Sequence, residues 1–119
     1  MKEKLKKLFS EAVNLEEAGQ IESARKLLLD CVEKDPNCTA ALATLGHVCY
    51  KMGDWDEAVT VFKRGVKLSP TLEAVSLGLF HSLWKLGRRV EALEETKRFQ
   101  AISDSEDYRE IVKEINEKW

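Results

Sequence analysis

Long apolar runs are missing from this chain. No segment approaches the ~20 consecutive apolar residues that a membrane-spanning helix needs, although 44% of its residues are hydrophobic. Proline and glycine are scarce, two and six among 119 residues, which leaves little chain for flexible linkers. No basic tract is present. The formal charge is −2, with both signs interleaved, so nucleic acid is not the expected partner. The opening MKEKLKKLF is basic, but no apolar segment follows it to make a secretory signal. A soluble cytoplasmic protein without a membrane partner is the simplest expectation. Three cysteines, an odd number, build no disulfide framework. Cys31 and Cys49 fall on apolar helix faces, where a thiol acts as a small hydrophobe, and Cys38 near a loop is expected to be the exposed thiol.

Chemical motifs are equally sparse. There is no glycine-rich phosphate loop, no Gly-x-Ser-x-Gly and no paired-carboxylate motif. His47 and His81 stand too far apart in sequence for a local zinc site, and no short ligand spacing accompanies them. Cys49 and His47, two residues apart on one helix, point in different directions and make no catalytic pair. Enzymatic activity, metal binding and a cofactor are therefore not expected. The acidic pair Asp104 and Glu106 reads as helix capping and solvation.

What the chain does have is a 34-residue period. Gly19, Gly53 and Gly87 recur in register, and so do Ala24, Ala58 and Ala92. Leu15, Cys49 and Leu83 align, as do Leu28 and Phe62, and Pro36 and Pro70 close the first two copies. Each copy holds two amphipathic helical patterns. Leu5, Leu8, Phe9, Ala12 and Leu15 form the first stripe. Ala24, Leu27, Leu28, Cys31 and Val32 form the second, which ends at Asp35-Pro36 because proline disfavours helix in the residue before it. In the second copy, Asn37 or Thr39 is expected to cap the first helix, and Asp54 with Glu57 to form a capping box on the next. Ser103 with Glu106 is expected to restart a seventh helix. Its stripe of Tyr108, Ile111, Val112, Ile115 and Trp119 should close the stack against the second helix of the third copy.

Leu42, Leu45, Gly46, Tyr50, Gly53, Trp55, Ala58, Phe62, Leu68 and Pro70 together resemble the tetratricopeptide repeat consensus. The resemblance implies an all-α, right-handed solenoid of antiparallel helix pairs with about seven helices in one domain over residues 1–119. The repeats would lie near 5–38, 39–72 and 73–106, with a capping helix near 106–118. It also implies a concave groove, lined by the first helix of each pair, that binds a segment of another protein. Three departures stand out. Glu11 fills the slot of Leu45 and Leu79, which predicts a frayed or shifted first helix. Phe80 and Phe99 replace small residues, and Ser76 and Gly78 are expected to make room for them. One version of this fold clamps the terminal carboxylate of heat-shock chaperones with cationic and amide side chains. The matching slots here hold Phe9, Val13, Thr44, Ala74 and Gly78, which excludes that subtype.

The groove positions recur with the repeat. Val13, His47 and His81 form one row, Glu16, Tyr50 and Trp84 the next, and Glu17, Lys51 and Lys85 a third, with Phe9 and Leu77 extending the face. Flat rings offer contact area at low entropic cost and imidazoles offer adjustable hydrogen bonds, whereas the competing reading is ordinary packing between repeats. The face should be acidic at Glu16 and Glu17 and basic at Lys51 and Lys85. The expected function is a protein-protein interaction module, an adaptor or chaperone-like protein. The alternatives are a dedicated inhibitor, such as an immunity protein that blocks one toxin or enzyme, and a self-associating scaffold that forms a homo-oligomer.

Overall fold

The computed structural model describes residues 2–118, so Trp119, expected in the last apolar stripe, lies outside the described residues. Seven helices follow one another: α1 (Glu3–Glu17), α2 (Ile21–Lys34), α3 (Thr39–Lys51), α4 (Trp55–Leu68), α5 (Glu73–Lys85), α6 (Arg89–Ile102) and α7 (Glu106–Lys118). No strand occurs among the described residues. The fold is the all-α repeat expected from the periodicity.

The 34-residue punctuation has a direct backbone cause. Gly19, Gly53 and Gly87 sit at φ 82°, 78° and 76°, the left-handed region that a side chain disfavours. Each ends its helix with the same pair of bonds. Gly53 N–H reaches the Tyr50 carbonyl and Asp54 N–H reaches the Cys49 carbonyl, both at 3.0 Å. Gly19 and Gly87 repeat the pattern, so the last carbonyls of α1, α3 and α5 are satisfied before the chain reverses. Ala24, Ala58 and Ala92 are fully buried in the second helices, where the backbones of each pair approach.

Layering follows from which helices touch. Each helix packs on its neighbour in sequence from α1 to α6, and α1 also touches α3, as α3 touches α5. No comparable contact joins α2, α4 and α6. The first helices therefore form the tighter inner layer and the second helices the spread outer one. Phe62 of α4 is the wedge of the central core. A methyl group on Gly46 would stand 2.7 Å from its ring, and one on Gly78 closer still. Gly65 similarly admits Val75, whose Cγ1 would lie 2.7 Å from an added methyl. Gly78 thus makes room for Phe62, not for Phe80 or Phe99 as expected.

Ser76 corrects the other half of that expectation. It is fully buried and is a hydrogen-bonding hub. Its Oγ–H donates to Glu95 Oε2 at 2.6 Å, and its oxygen accepts from Tyr108 O–H at 2.6 Å. Arg98 grips Glu95 through Nε and Nη2 at 2.8 and 2.6 Å, and its Nη1 donates to the Pro70 carbonyl at 3.0 Å. The capping expectations also change. Ser105, not Ser103, caps α7: its Oγ accepts from Tyr108 N–H at 3.1 Å and donates to Glu73 Oε1 at 2.5 Å. Asp54 caps nothing with its side chain, because its carboxylate takes Arg25 Nη2 at 3.2 Å. Neither Asn37 nor Thr39 caps α3; Cys38 stands at that position, and Thr39 shares a 2.9 Å bond with Ser69. Nor is α1 frayed. It runs unbroken, and Glu11 lies exposed on a side that no described element covers.

The seventh helix is turned about its axis relative to the first helices of the pairs. Tyr108 is fully buried, whereas its register equivalent Ala74 is exposed. The Tyr108 ring meets Phe80 of α5 edge-on at 6.0 Å and Phe99 of α6 at 5.4 Å. Ile111 and Ile115 then lie against α5, beside Phe80, His81 and Trp84. The closing helix therefore packs on both helices of the third pair, and not on the second alone. Phe99 stands where the second pair has Gly65, and its ring fills the space against Tyr108.

Candidate functional site: an inner face with two apolar pockets

The helix turn places every fourth or third residue of α1, α3 and α5 on the inner layer. Phe9 and Val13 are half-buried on α1, with Phe9 bridging the main core and a smaller cluster of Leu5, Cys31 and Ala41. His47 and Lys51 are exposed on α3, and Tyr50 is half-buried. On α5, Leu77 and Trp84 are half-buried while His81 and Lys85 are exposed. The structure thus brings the expected rows side by side, with three differences in how their charges are used.

Glu16 joins the first two pairs. Its side chain is only 14% exposed, Lys51 Nζ donates to Oε1 at 2.5 Å, and His47 Nε2 lies 3.6 Å from the same oxygen. The Lys51 hydrogen bond holds the Glu16 carboxyl below its ordinary range against an opposing effect of burial, with help from the charges of Lys51 and His47. Lys51 is therefore neutralised in place instead of forming a free basic rim. Lys85 turns away toward α4, its Nζ 5.7 Å from the Trp55 ring centre. Trp84 stacks on Phe80 at 5.7 Å, and the Arg89 guanidinium lies 4.9 Å from its ring centre.

Two pockets open between these helices. His47, Tyr50, Phe62, Gly78 and His81 line the first, about 230 Å³, between α3 and α5. Phe80, His81, Trp84, Ile111, Glu114 and Ile115 line the second, about 210 Å³, between α5 and α7. His81 stands in both and forms the partition. Burial lowers its pKa, opposed by Asp107 and assisted by Lys85, so the imidazole is held toward its neutral form while keeping an exposed edge. The first pocket is lined almost wholly by apolar atoms, whereas the second sets aromatic and aliphatic faces beside the polar atoms of His81 and Glu114; both can receive an apolar side chain.

Sequence reasoning missed the floor and the far wall. Phe62 and Gly78 carry no polar signal, and Phe80 reads as core. Ile111 and Ile115 had a signal, since they stand 34 residues after Leu77 and His81 in the same rows. No group of three or more histidine, cysteine or acidic side chains is arranged to hold a metal among the described residues. No described helix is long and apolar enough to cross a membrane.

The geometry has known counterparts. The type III secretion chaperone SycD of Yersinia enterocolitica, in complex with a peptide of the translocator YopD, superposes with a TM-score of 0.84 at 20% identity, covering 98% of this chain and 90% of that one. A second SycD structure, an alternative dimer, gives 0.82 at 20% identity, covering 98% and 89%. The RS-1 form of MamA, as a double mutant, gives 0.79 at 25% identity, covering 87% of this chain and 58% of that one. At these identities the SycD likeness is one of fold. No curated protein sequence matches the chain. The tetratricopeptide repeat model matches residues 15–71. Over that span the chain matches the tetratricopeptide repeat, and its remaining helices continue the same helix-pair fold.

Proposed function

We propose that this protein is a binding module that holds an extended segment of a partner protein along its inner face, without chemistry of its own. The observation that carries the reading is the pair of apolar pockets on neighbouring helix junctions, divided by His81. Packed helices lie ~8–10 Å apart, and a segment extended as polyproline II rises ~3.1 Å per residue with about three residues per turn, which returns every third side chain to the same side. A segment crossing the helices would therefore place two apolar side chains about three residues apart, one in each pocket. The SycD–YopD peptide complex, which shares the fold, supports a peptide as the partner class. Glu16 and Lys51 neutralise each other, so the α1 end of the face selects polarity more than charge.

Selection from a random-peptide display library against the full chain tests this. Binders should share two apolar positions about three residues apart. Aromatic hot-spot residues cost ~2 kcal/mol or more when truncated, so Trp84→Ala and Tyr50→Ala should each weaken binding by roughly tenfold or more with the helical spectrum unchanged. Binders indifferent to both substitutions would place the interaction on another face. In this reading the protein acts as an adaptor or chaperone inside the cell.

A further inference from the structure

Ser76 and Glu95 occupy the positions that Leu42 and Val61 fill one repeat earlier. The earlier pair is apolar and buried, 1% and 6% exposed; the later pair is polar and equally buried. Both members change together, and Tyr108 of α7 supplies the hydroxyl that completes them. An unpaired buried hydroxyl or carboxylate is costly, so such a cluster persists only when all its members are in place. Here they are: no buried side-chain nitrogen or oxygen lacks a partner among the described residues. The cluster ties α5, α6 and α7 to the turn at Pro70, while Ser105 and Glu73 add a second tie at the start of α7.

The other described contacts of that helix are apolar and mostly partly buried. Tyr108 is its only fully buried residue, and Ile111, Val112 and Ile115 are half-buried. Yet Ile111, Glu114 and Ile115 form one wall of the second pocket. We infer that Ser76, Glu95 and Tyr108 are positioning residues of the binding face: they form a polar lock that sets the turn of α7 about its axis, so that α7 docks as a unit and completes the second pocket. A segment seated there touches α7 only when it is docked, so binding and docking reinforce each other. The lock stands on its own geometry; the coupling rests on the peptide-binding function proposed above.

Hydrogen–deuterium exchange on the full chain, read helix by helix, tests the lock. Amides of α7 should exchange faster than those of α5, as a separate opening unit. Tyr108→Phe removes one buried hydrogen bond and should speed α7 exchange by roughly threefold to tenfold, leaving α3 and α4 unchanged. Ser76→Leu combined with Glu95→Val transplants the apolar pair of the second repeat. Arg98 keeps its bond to the Pro70 carbonyl, the third pair keeps an apolar contact, and α7 alone loses its receptor. Its amides should then exchange faster still than in Tyr108→Phe, by roughly tenfold or more over the parent. Equal exchange of α7 and α5 in the parent and both variants would overturn the lock. For the coupling, a peptide recovered by display should slow α7 exchange by roughly fivefold or more at saturation. Tyr108→Phe should weaken the anchor in the second pocket and spare the one beside His47. Binding that leaves α7 exchange untouched overturns the coupling. If no peptide binds the inner face, the proposed function and the coupling fall together, while the exchange comparison still decides the lock.

Discussion

Gly78→Ala puts two opposing effects on one atom. Alanine in a helix interior is favoured over glycine by ~1 kcal/mol. Against that, the new methyl would collide with Cε1 and Cζ of Phe62. The ring has little room to retreat, because it also packs on the backbone at Gly46, where an added methyl would lie 2.7 Å from the same edge of the ring. Overpacking of this kind costs ~1–3 kcal/mol, and a ring packed closely at two glycines belongs at the upper end. The net expectation is a loss of ~1–2 kcal/mol, or a Tm lower by roughly 5–10 °C for a domain of this size. Phe62→Leu removes the obstacle, so in that background Gly78→Ala should be neutral or stabilising by up to ~1 kcal/mol. The coupling between the sites is then ~2 kcal/mol, within the range seen for residues in contact. Thermal and urea unfolding followed by circular dichroism, on the four members of the cycle, measures it. A Gly78→Ala protein that melts higher than the parent would mean that Phe62 is not wedged and that the floor of the first pocket is looser than described.

Other expectations are independent of that ring. Ala58 is fully buried between helices, so Ala58→Leu should cost ~1–3 kcal/mol in unfolding experiments while Glu57→Ala changes little; equal effects would contradict the packing. Stability should fall on acidification in two stages. His81 has a lowered folded pKa, so protons favour the unfolded chain from about its ordinary 6.5 downward; Glu16 is lowered too, so its contribution is present above its ordinary 4.5 and fades as pH falls through its folded value. His81→Gln should flatten the first stage and Glu16→Gln the second, as read from urea midpoints against pH. Burial pushes the Cys49 thiol up to about 11 and raises Cys31 as well, so an aromatic disulfide reagent should titrate Cys38 alone in the native protein and all three after unfolding.

The helix order was legible because its punctuation is local. A glycine at positive φ ends a helix by bonding its own N–H three residues back and letting the next residue bond five back, so Gly19, Gly53 and Gly87 announce their turns in sequence alone. The inner rows were legible for a similar reason: period and helix turn together fix which residues share a face. What was not legible depends on partners far away in the chain. Asp54 and Glu57 have the spacing of a capping box, but Arg25, 29 residues earlier, takes the Asp54 carboxylate. Lys85 belongs to the basic row by register, yet Trp55 draws its ammonium to another helix. Ser76 looked like a space-filler because a small residue beside bulky ones suggests relief. Its role depends on Glu95 and Tyr108, 19 and 32 residues away, becoming polar partners at the same depth. The floor of the first pocket has the same character. Gly46 and Gly78 lie 32 residues apart, not one 34-residue period, and only the packed structure shows both against one ring.

Chemical-shift mapping of a display-selected peptide on the isotope-labelled 119-residue chain locates the binding face. The largest perturbations should fall on His47, Tyr50, Gly78, His81, Trp84, Ile111 and Ile115, which line the two pockets. Perturbations concentrated instead on the outer helices α2, α4 and α6, with the pocket residues unmoved, would contradict binding on the inner face.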